Sequence, residues 1–351
     1  MSKAAFNSAT RNILIALGLI ALGLILWRIT EVMVIAFGGI VVATLLRAMA
    51  MPLRRFRGLS DHARVGIAIT ALVLFVAVLG WLFGREIAAE TDELRRLLPE
   101  QAQRIAVTLK QTRLGGSLVD ALHNTASDGK TIGGLGIAAM TAGSAALDLI
   151  LIIFLGVYFA LDPELYLDGV LRLLPMGQRE RVRRAFLNAG DSLRRWLLAQ
   201  IAAMAIVGVL AGSMLAILGV PLALVLGGLA AVFEFIPVAG AFLFGIPGVV
   251  VAFSKGPRTA LYTIIGYVAV QQIESNLIVP LLQRWAVKMP PVVSLLAVVA
   301  AGILLGPPGV VFAAPLAVVC LALVHQLYVR DTLEMPGSQG TTRPKEGGAP
   351  G

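Results

Sequence analysis

The sequence predicts an all-α polytopic membrane protein with about 7–8 transmembrane helices, some of them broken by proline and glycine. Hydrophobic residues make up 58% of the 351 residues and charged residues only 14%, and the mean hydropathy is +0.87. A soluble domain of this size needs far less apolar surface. The net charge of +9 comes from arginines beside apolar segments, which indicates membrane lipids as partners and no nucleic acid.

The first three apolar segments lie within residues 1–84 and predict transmembrane helices 1–3. Asn12–Trp27 and Val32–Leu46 form a tight hairpin, and Val65–Phe83 then crosses outward. The loop before this third segment, Arg47–Arg64, carries five arginines against one acid. This excess places the loop, and with it the N-terminus, in the cytoplasm.

The central part of the chain alternates between soluble and apolar stretches. Residues 85–134 have balanced charge and apolar residues at helical spacing. They predict an amphipathic helical insertion on the outer side, divided into two helices at Pro99. The remaining segments are transmembrane helix 4 at 135–161, cytoplasmic amphipathic basic helices at 162–196, a C-terminal transmembrane core at 197–329 and a disordered tail at 330–351.

The apolar run Leu222–Phe253 is interrupted by Pro237, Gly240 and Pro247. Uninterrupted, it would be about 48 Å of helix, whereas the break leaves two arms of about 22 Å and about 20 Å against a hydrocarbon core of about 30 Å. Irregular backbone at this depth is tolerated only beside protein or a water-filled cavity. We therefore predict a re-entrant or broken helix lining a solute pathway, with Glu234 as a pathway carboxylate. The alternative is a plain helix with a proline kink.

A polar row, Gln271–Asn276, interrupts the next apolar segment, Thr259–Val279. Five polar residues in six positions cannot face lipid, so they are expected to face the bundle or a wet cavity. The candidate pathway residues in and after this row are Gln271, Gln272, Glu274, Asn276 and Pro280.

Two further features belong to the predicted pathway. Asp148 lies inside the fourth apolar segment and is either a pathway residue or a bundle-facing carboxylate bonded to a hydroxyl such as that of Ser144. A second interrupted region, Pro290–Tyr328, is divided at Gly306–Gly309. Two broken segments in one half of a chain are typical of a transporter site.

These residues favour transport over the other function classes. Amide and carboxyl groups of Gln271–Asn276 suit a small polar solute, and Glu234 or Glu274 would carry a coupling proton. Alternatively, the two glutamates and Asp148 bind a monovalent cation in exchange for protons. The sequence has no HExxH or GxSG-type motif, so we expect no enzyme, cofactor or metal site, and its single Cys320 forms no intrachain disulfide. A passive scaffold would not need the polar row.

Three motifs in the second half, in this order, resemble those of the autoinducer-2 exporter (AI-2E) family of bacterial membrane proteins. Ile236–Gly240 followed by Ile246-Pro247 is similar to IPxxGP…IP, Gln271–Asn276 through Pro280 is similar to QQxExNxxxP, and Pro291 with Gly302, Gly306, Gly309 and Pro315 is similar to PLVV…GxxxGxxG…P. Two positions depart from the pattern: Ala241 replaces a proline of the first motif, and Arg284 stands where a glycine is usual.

The resemblance implies an exporter of a small, polar furanosyl signalling molecule of the autoinducer-2 kind, in the bacterial inner membrane, with a role in quorum sensing. Some members of the family are associated with sodium/proton antiport. The family also implies a homo-oligomer and suggests a pentamer. The two departures bear on the geometry of the break and on the substrate, and the fold assignment does not depend on them.

The side on which the C-terminus lies depends on the first broken region. If that region is a hairpin, the C-terminus is inside, and if it spans the membrane once, the C-terminus is outside. Arg330, Arg343 and Lys345 favour a cytoplasmic C-terminus.

Overall fold

The computed structural model describes residues 30–56, 58–110, 131–236, 239–283 and 289–327, and the regular elements in these ranges are all helical. A 3-10 turn, Met51–Arg55, follows the first helix, and a π-helical turn, Glu274–Ile278, joins the eighth and ninth. The helices are α1 (30–50), α2 (Asp61–Lys110), α3 (Thr131–Leu161), α4 (Pro163–Arg172), α5 (Met176–Ile217), α6 (Ala223–Phe233), α7 (Ala239–Phe253), α8 (Pro257–Ile273), α9 (Val279–Gln283) and α10 (Pro291–Val324).

Several helical stretches are long and apolar enough to cross a membrane, which confirms the predicted all-α polytopic architecture. Within the described ranges there are five, or six if the pair Ala146–Leu161 and Pro163–Arg172, which meet at 89°, counts as one span. Helices α6 and α7 are apolar but shorter. The predicted first segment, Asn12–Trp27, and the predicted tail lie outside the described residues. The five spans are Thr30–Arg55, Asp61–Ala89, Met176–Ile217, Pro257–Leu282 and Val292–Leu327.

Helix α2 differs from the sequence-based expectation because it continues through Pro99 to Lys110. The predicted division of the insertion at Pro99 is therefore wrong for this part of the chain. A proline removes one backbone N–H group and bends a helix, but it does not have to end one. At ~1.5 Å per residue the helix is about 75 Å long, so it extends well beyond a hydrocarbon core of about 30 Å.

Helix α5 is the central element of the described fold. It packs against α4, α6, α8 and α10, and its side chains Leu193, Val207 and Leu215 are fully buried. The helix runs without interruption from the arginine-rich stretch into the apolar stretch. The arginine-rich end is thus rigidly joined to the transmembrane core.

Small residues allow α5 and α6 to approach closely. Gly208 and Gly212 of α5 face α6, and a Cβ atom added to Gly227 of α6 would lie 2.7 Å from the Cα atom of Gly212. Because lipid tails are as apolar as the helices themselves, close van der Waals packing of this kind is a main source of helix association in membranes.

The predicted break in the run Leu222–Phe253 separates α6 from α7. The two helices span about 16 Å and about 22 Å, each too short for an upright crossing, and they contact each other. A Cβ atom on Gly240 would lie 2.2 Å from the carbonyl oxygen of Phe233. The chain therefore turns tightly at a position that only glycine fits. Residues 237–238, within the turn, lie outside the described residues.

A second break lies in α10 at Gly306, which has φ 68° and ψ −157°. A Cβ atom on Gly309 would lie 2.2 Å from the carbonyl oxygen of Ala301. In a straight helix, residues eight apart are about 12 Å apart along the axis, so the chain bends back sharply here. The predicted interruption at Gly306–Gly309 is confirmed.

Helix α2 holds the first turn of α6. The carboxylate of Glu86 accepts hydrogen bonds from the backbone N–H groups of Leu224 (3.1 Å) and Val225 (3.0 Å). These N–H groups have no partner within their own helix, and the positive end of the helix dipole favours a negative charge at this place. The ring of Phe83, one turn earlier in α2, lies directly over Gly228.

We predict that Gly240→Ala destabilises the protein by about 1–3 kcal/mol, because its Cβ atom would overlap the Phe233 carbonyl group. The measurement is thermal unfolding of the purified protein in detergent. Gly245→Ala in the same helix is the matched control, since a Cβ atom there meets nothing within 4 Å. It should be neutral or stabilising by up to about 1 kcal/mol, and equal destabilisation by both changes would contradict the tight turn.

We also predict that Glu86→Ala destabilises the protein by about 1–2 kcal/mol, because two N–H groups of α6 lose their acceptor. Glu86→Gln keeps one acceptor oxygen and should lose about half as much. The same unfolding assay measures both. Equal stability of all three proteins would show that this capping interaction contributes nothing.

Candidate functional site

The break between α6 and α7 brings two acidic side chains together. Glu234 follows the last residue of α6 and is only 9% exposed, and Glu274 begins the π-helical turn after α8. The carboxyl groups of these two residues lie close enough to interact with each other. Two negative charges at one site repel, and a proton on either group removes that repulsion. The site is therefore a carboxyl pair that is chemically suited to binding a proton.

Contacts with α5 fix the position of Glu234. The side-chain Nε2 of Gln200 donates a hydrogen bond of 2.7 Å to the backbone carbonyl oxygen of Glu234. The next residue, Phe235, packs edge-on against Trp196, with ring centroids 6.0 Å apart. A carbonyl group at a helix end has no partner within the helix, so Gln200 satisfies a group that the break exposes.

The π-helical turn sets the position of Glu274. Gln271 in the last turn of α8 donates a hydrogen bond of 3.0 Å from Nε2 to Oε2 of Glu274. A π-helical turn widens the helix by one residue and is frequent at functional sites. Here the π-helical turn begins just after Gln271, whose side-chain amide binds Glu274.

The predicted polar row Gln271–Asn276 divides into two parts. Gln271 and Glu274 are partly buried beside Glu234, whereas Gln272 and Asn276 are exposed. The side-chain Nδ2 of Asn276 donates hydrogen bonds to the side-chain Oε1 of Gln272 (3.2 Å) and to the backbone oxygen of Gln272 (2.9 Å). These bonds join residues one helical turn apart, and they leave the exposed amide pair outside the carboxyl pair.

Apolar side chains surround the carboxyl pair. Glu234 and Glu274 each adjoin helix segments that contribute to one buried cluster, whose members include Val207, Phe244 and Ile278. In such low-dielectric surroundings, hydrogen bonds and charge repulsion are stronger than in water. A change in the number of protons on the pair therefore has a large energetic effect.

The other predicted pathway residues have different environments. Gly240 is buried at the turn, Pro247 lies inside α7 and Pro280 is exposed in α9. Pro237 lies outside the described residues. Asp148 is exposed on α3 and is not brought to the carboxyl pair.

Sequence reasoning missed three polar residues of the helical core. Gln200 gives little signal, because it is a single amide in an apolar span. The hydroxyl groups of Thr263 and Tyr267 are buried in α8 without a hydrogen-bond partner among the described residues. Their spacing of i, i+4 and i+8 with Gln271 places them on one helix face, and this periodicity could have revealed them.

Comparison with known proteins assigns this chain to one family. The model of the AI-2E family, described as AI-2E family transporter, matches residues 14–329, a range that includes both members of the carboxyl pair.

Curated relatives are similar over different lengths. The putative transport protein MT0215 of Mycobacterium tuberculosis (strain CDC 1551 / Oshkosh) is 34% identical over 261 residues, which is 73% of this chain and 70% of the relative. The AI-2 transport protein TqsA of Escherichia coli (strain K12) is 27% identical over 337 residues, 93% of this chain and 95% of the relative. The putative transport protein YrrI of Bacillus subtilis (strain 168) is 32% identical over 178 residues, and the chain spans about half of its length.

The family match extends over almost the whole chain, whose described part contains several candidate membrane spans and a broken segment with a carboxyl pair. The protein is a multi-pass membrane protein that belongs to the AI-2E family of transporters.

Proposed function

We propose that this protein exports a small, polar, uncharged solute across the bacterial inner membrane, driven by protons that bind to Glu234 and Glu274. The observation that carries the proposal is the pair of interacting carboxyl groups at the break between α6 and α7, with Glu234 buried and Glu274 bound by Gln271. The solute class we favour is a furanosyl signalling molecule of the autoinducer-2 kind. A full-length relative that carries the name AI-2 transport protein supports this choice.

The groups around the break suit a solute rich in hydroxyl groups. Gln271 offers amide donors and an acceptor, the carboxyl groups offer acceptors, and Tyr267 has a buried hydroxyl without a partner in the described chain. A few convergent polar groups among apolar side chains are typical of sites for small molecules. Backbone groups at the break can add further donors and acceptors.

The carboxyl pair supplies a means of coupling. With one proton shared, the hydrogen bond holds the start of the π-helical turn against the end of α6. With no proton, two unit charges about 4 Å apart repel by about 4 kcal/mol at an effective dielectric constant of about 20. That energy is sufficient to change a two-state equilibrium by about a thousandfold. Proton release would thus separate α8 from the break and alter access to the site.

We predict that Glu274→Gln lowers solute flux by roughly 5- to 150-fold, the range of typical coupling energies, and removes its response to a pH gradient. A glutamine keeps the size of the side chain but carries no exchangeable charge. The measurement is transport of a furanosyl signalling compound into and out of proteoliposomes of the purified protein, with and without an imposed gradient.

The control for this experiment is Glu164→Gln, which removes an exposed carboxylate on α4 and should leave flux and coupling intact. Asp148→Asn should behave like this control, because the structure leaves Asp148 exposed on α3. Unchanged flux in Glu274→Gln would reject the carboxyl pair as the coupling site. Loss of flux in Asp148→Asn but not in Glu274→Gln would move the site to α3.

A second candidate function is monovalent cation/proton antiport, which the same carboxyl pair favours. Two carboxyl groups and the Gln271 amide can provide oxygen ligands for sodium once the shared proton leaves. Proton movement driven by a sodium gradient, in liposomes without any organic solute and abolished by Glu234→Gln, would support antiport. Solute flux without a sodium response would support export.

A further inference from the structure

A second polar site adjoins α5 at Asp191 and Arg194 and has a lining distinct from the carboxyl pair. It is a cavity of about 210 Å³ where the end of α1, the start of α2 and the arginine-rich part of α5 meet. Its charged lining consists of Arg47, Arg54, Arg64, Arg194, Asp61 and Asp191. We call these residues the arginine pocket.

The arginine pocket carries an uncompensated positive charge. Asp61 is paired with Arg64 (2.5 Å) and Asp191 with Arg194 (3.2 Å). Arg47 and Arg54 also line the cavity, and neither has a carboxylate partner within the described part of the chain. Four arginines against two aspartates leave a formal charge of +2 in one cavity. An anion would compensate it.

Hydrogen-bond donors in the arginine pocket also lack good acceptors. The Nε atom of Arg64 is buried without any partner among the described residues. A terminal nitrogen of Arg194 contacts the thioether sulfur of Met51, which is a weak acceptor. Arg47 uses its Nε atom to bind the carbonyl oxygen of Ala160 (3.0 Å), so its position is fixed while its terminal nitrogens remain available. The buried Nε atom of Arg64 is a donor of the kind that a ligand or water normally satisfies.

The geometry of the donors selects the class of anion. Guanidinium groups present planar forks of N–H donors that bind phosphate oxygens in pairs. Arginines that only determine on which side of the membrane a loop lies would each be surrounded by water. The arginines of this pocket instead converge on one cavity from three elements. Phosphate is therefore the favoured group.

The surroundings of the cavity indicate where the phosphate comes from. The apolar side chains Ile40, Met51 and Ile67, on the same helical elements as the lining residues, are exposed, and Thr30–Arg55 and Asp61–Ala89 are both candidate membrane spans. A basic pocket between such spans is a typical site for lipid head groups. We propose that the arginine pocket binds the phosphate of an anionic phospholipid, with the acyl chains along the exposed apolar side chains.

The test is a titration of the purified full-length protein in detergent with phosphatidylglycerol, followed by native mass spectrometry. At about 1 kcal/mol per basic residue near the head group, Arg54→Gln should weaken binding about fivefold and the double change Arg47→Gln with Arg54→Gln about 25-fold. Arg195→Gln is the matched control. It removes one exposed arginine from the same helix as Arg194, but from a position that does not line the cavity.

Two further ligands distinguish the phosphate of an anionic lipid from other sources of phosphate. Phosphatidylcholine, which has a phosphate but no net charge, should bind much more weakly than phosphatidylglycerol. Inorganic phosphate at millimolar concentration should neither bind stably nor displace the lipid, and displacement would overturn the lipid assignment. Equal loss of binding in Arg195→Gln and in the double variant, or no loss in either, would overturn the site itself. Because Arg54 is exposed, Arg54→Gln should keep its unfolding temperature in detergent alone, which excludes misfolding as the cause.

Discussion

The interaction between the Glu234 and Glu274 carboxyl groups joins the two parts of the transmembrane core that are least regular. Buried polar groups without partners are costly in an apolar medium. The turn after α6 and the π-helical turn after α8 therefore each depend on polar partners that the surrounding structure supplies. The turn after α6 is acceptable because Gln200 satisfies the Glu234 carbonyl group. The π-helical turn is acceptable because it directs Glu274 to Gln271 and Glu234.

The rest of the described fold supports this arrangement through packing on both sides of the break. Phe233 packs against one buried cluster and Phe235 against another, which includes residues of α5 and α10. The break is thus anchored at two points, and the small residues of α5 and α6 hold the helices close together. The interruption in the helix leaves the surrounding packing intact, so a proton change at the carboxyl pair acts on a well-ordered framework.

The sequence predicted the features that depend on local chemistry. Proline and glycine located both breaks, and polar residues in an apolar segment located Gln271 and Glu274. It could not show that Glu234 meets Glu274, because that contact depends on how α8 docks against α6. Asp148 illustrates the same limit, since a carboxylate in an apolar segment can face outward in the folded chain. Helix α2 continues through Pro99, since an interior proline can bend a helix without ending it.

The cap that Glu86 provides for α6 has a consequence for the order of assembly. The acceptor precedes the N–H groups of Leu224 and Val225 by 138 and 139 residues. A ribosome must therefore synthesise α3, α4 and α5 before this contact can form, and α2 has to remain available in the bilayer until then. Contacts between distant parts of a chain form late. The first broken helix therefore cannot reach its final position until the five described helices before it, α1–α5, have been made.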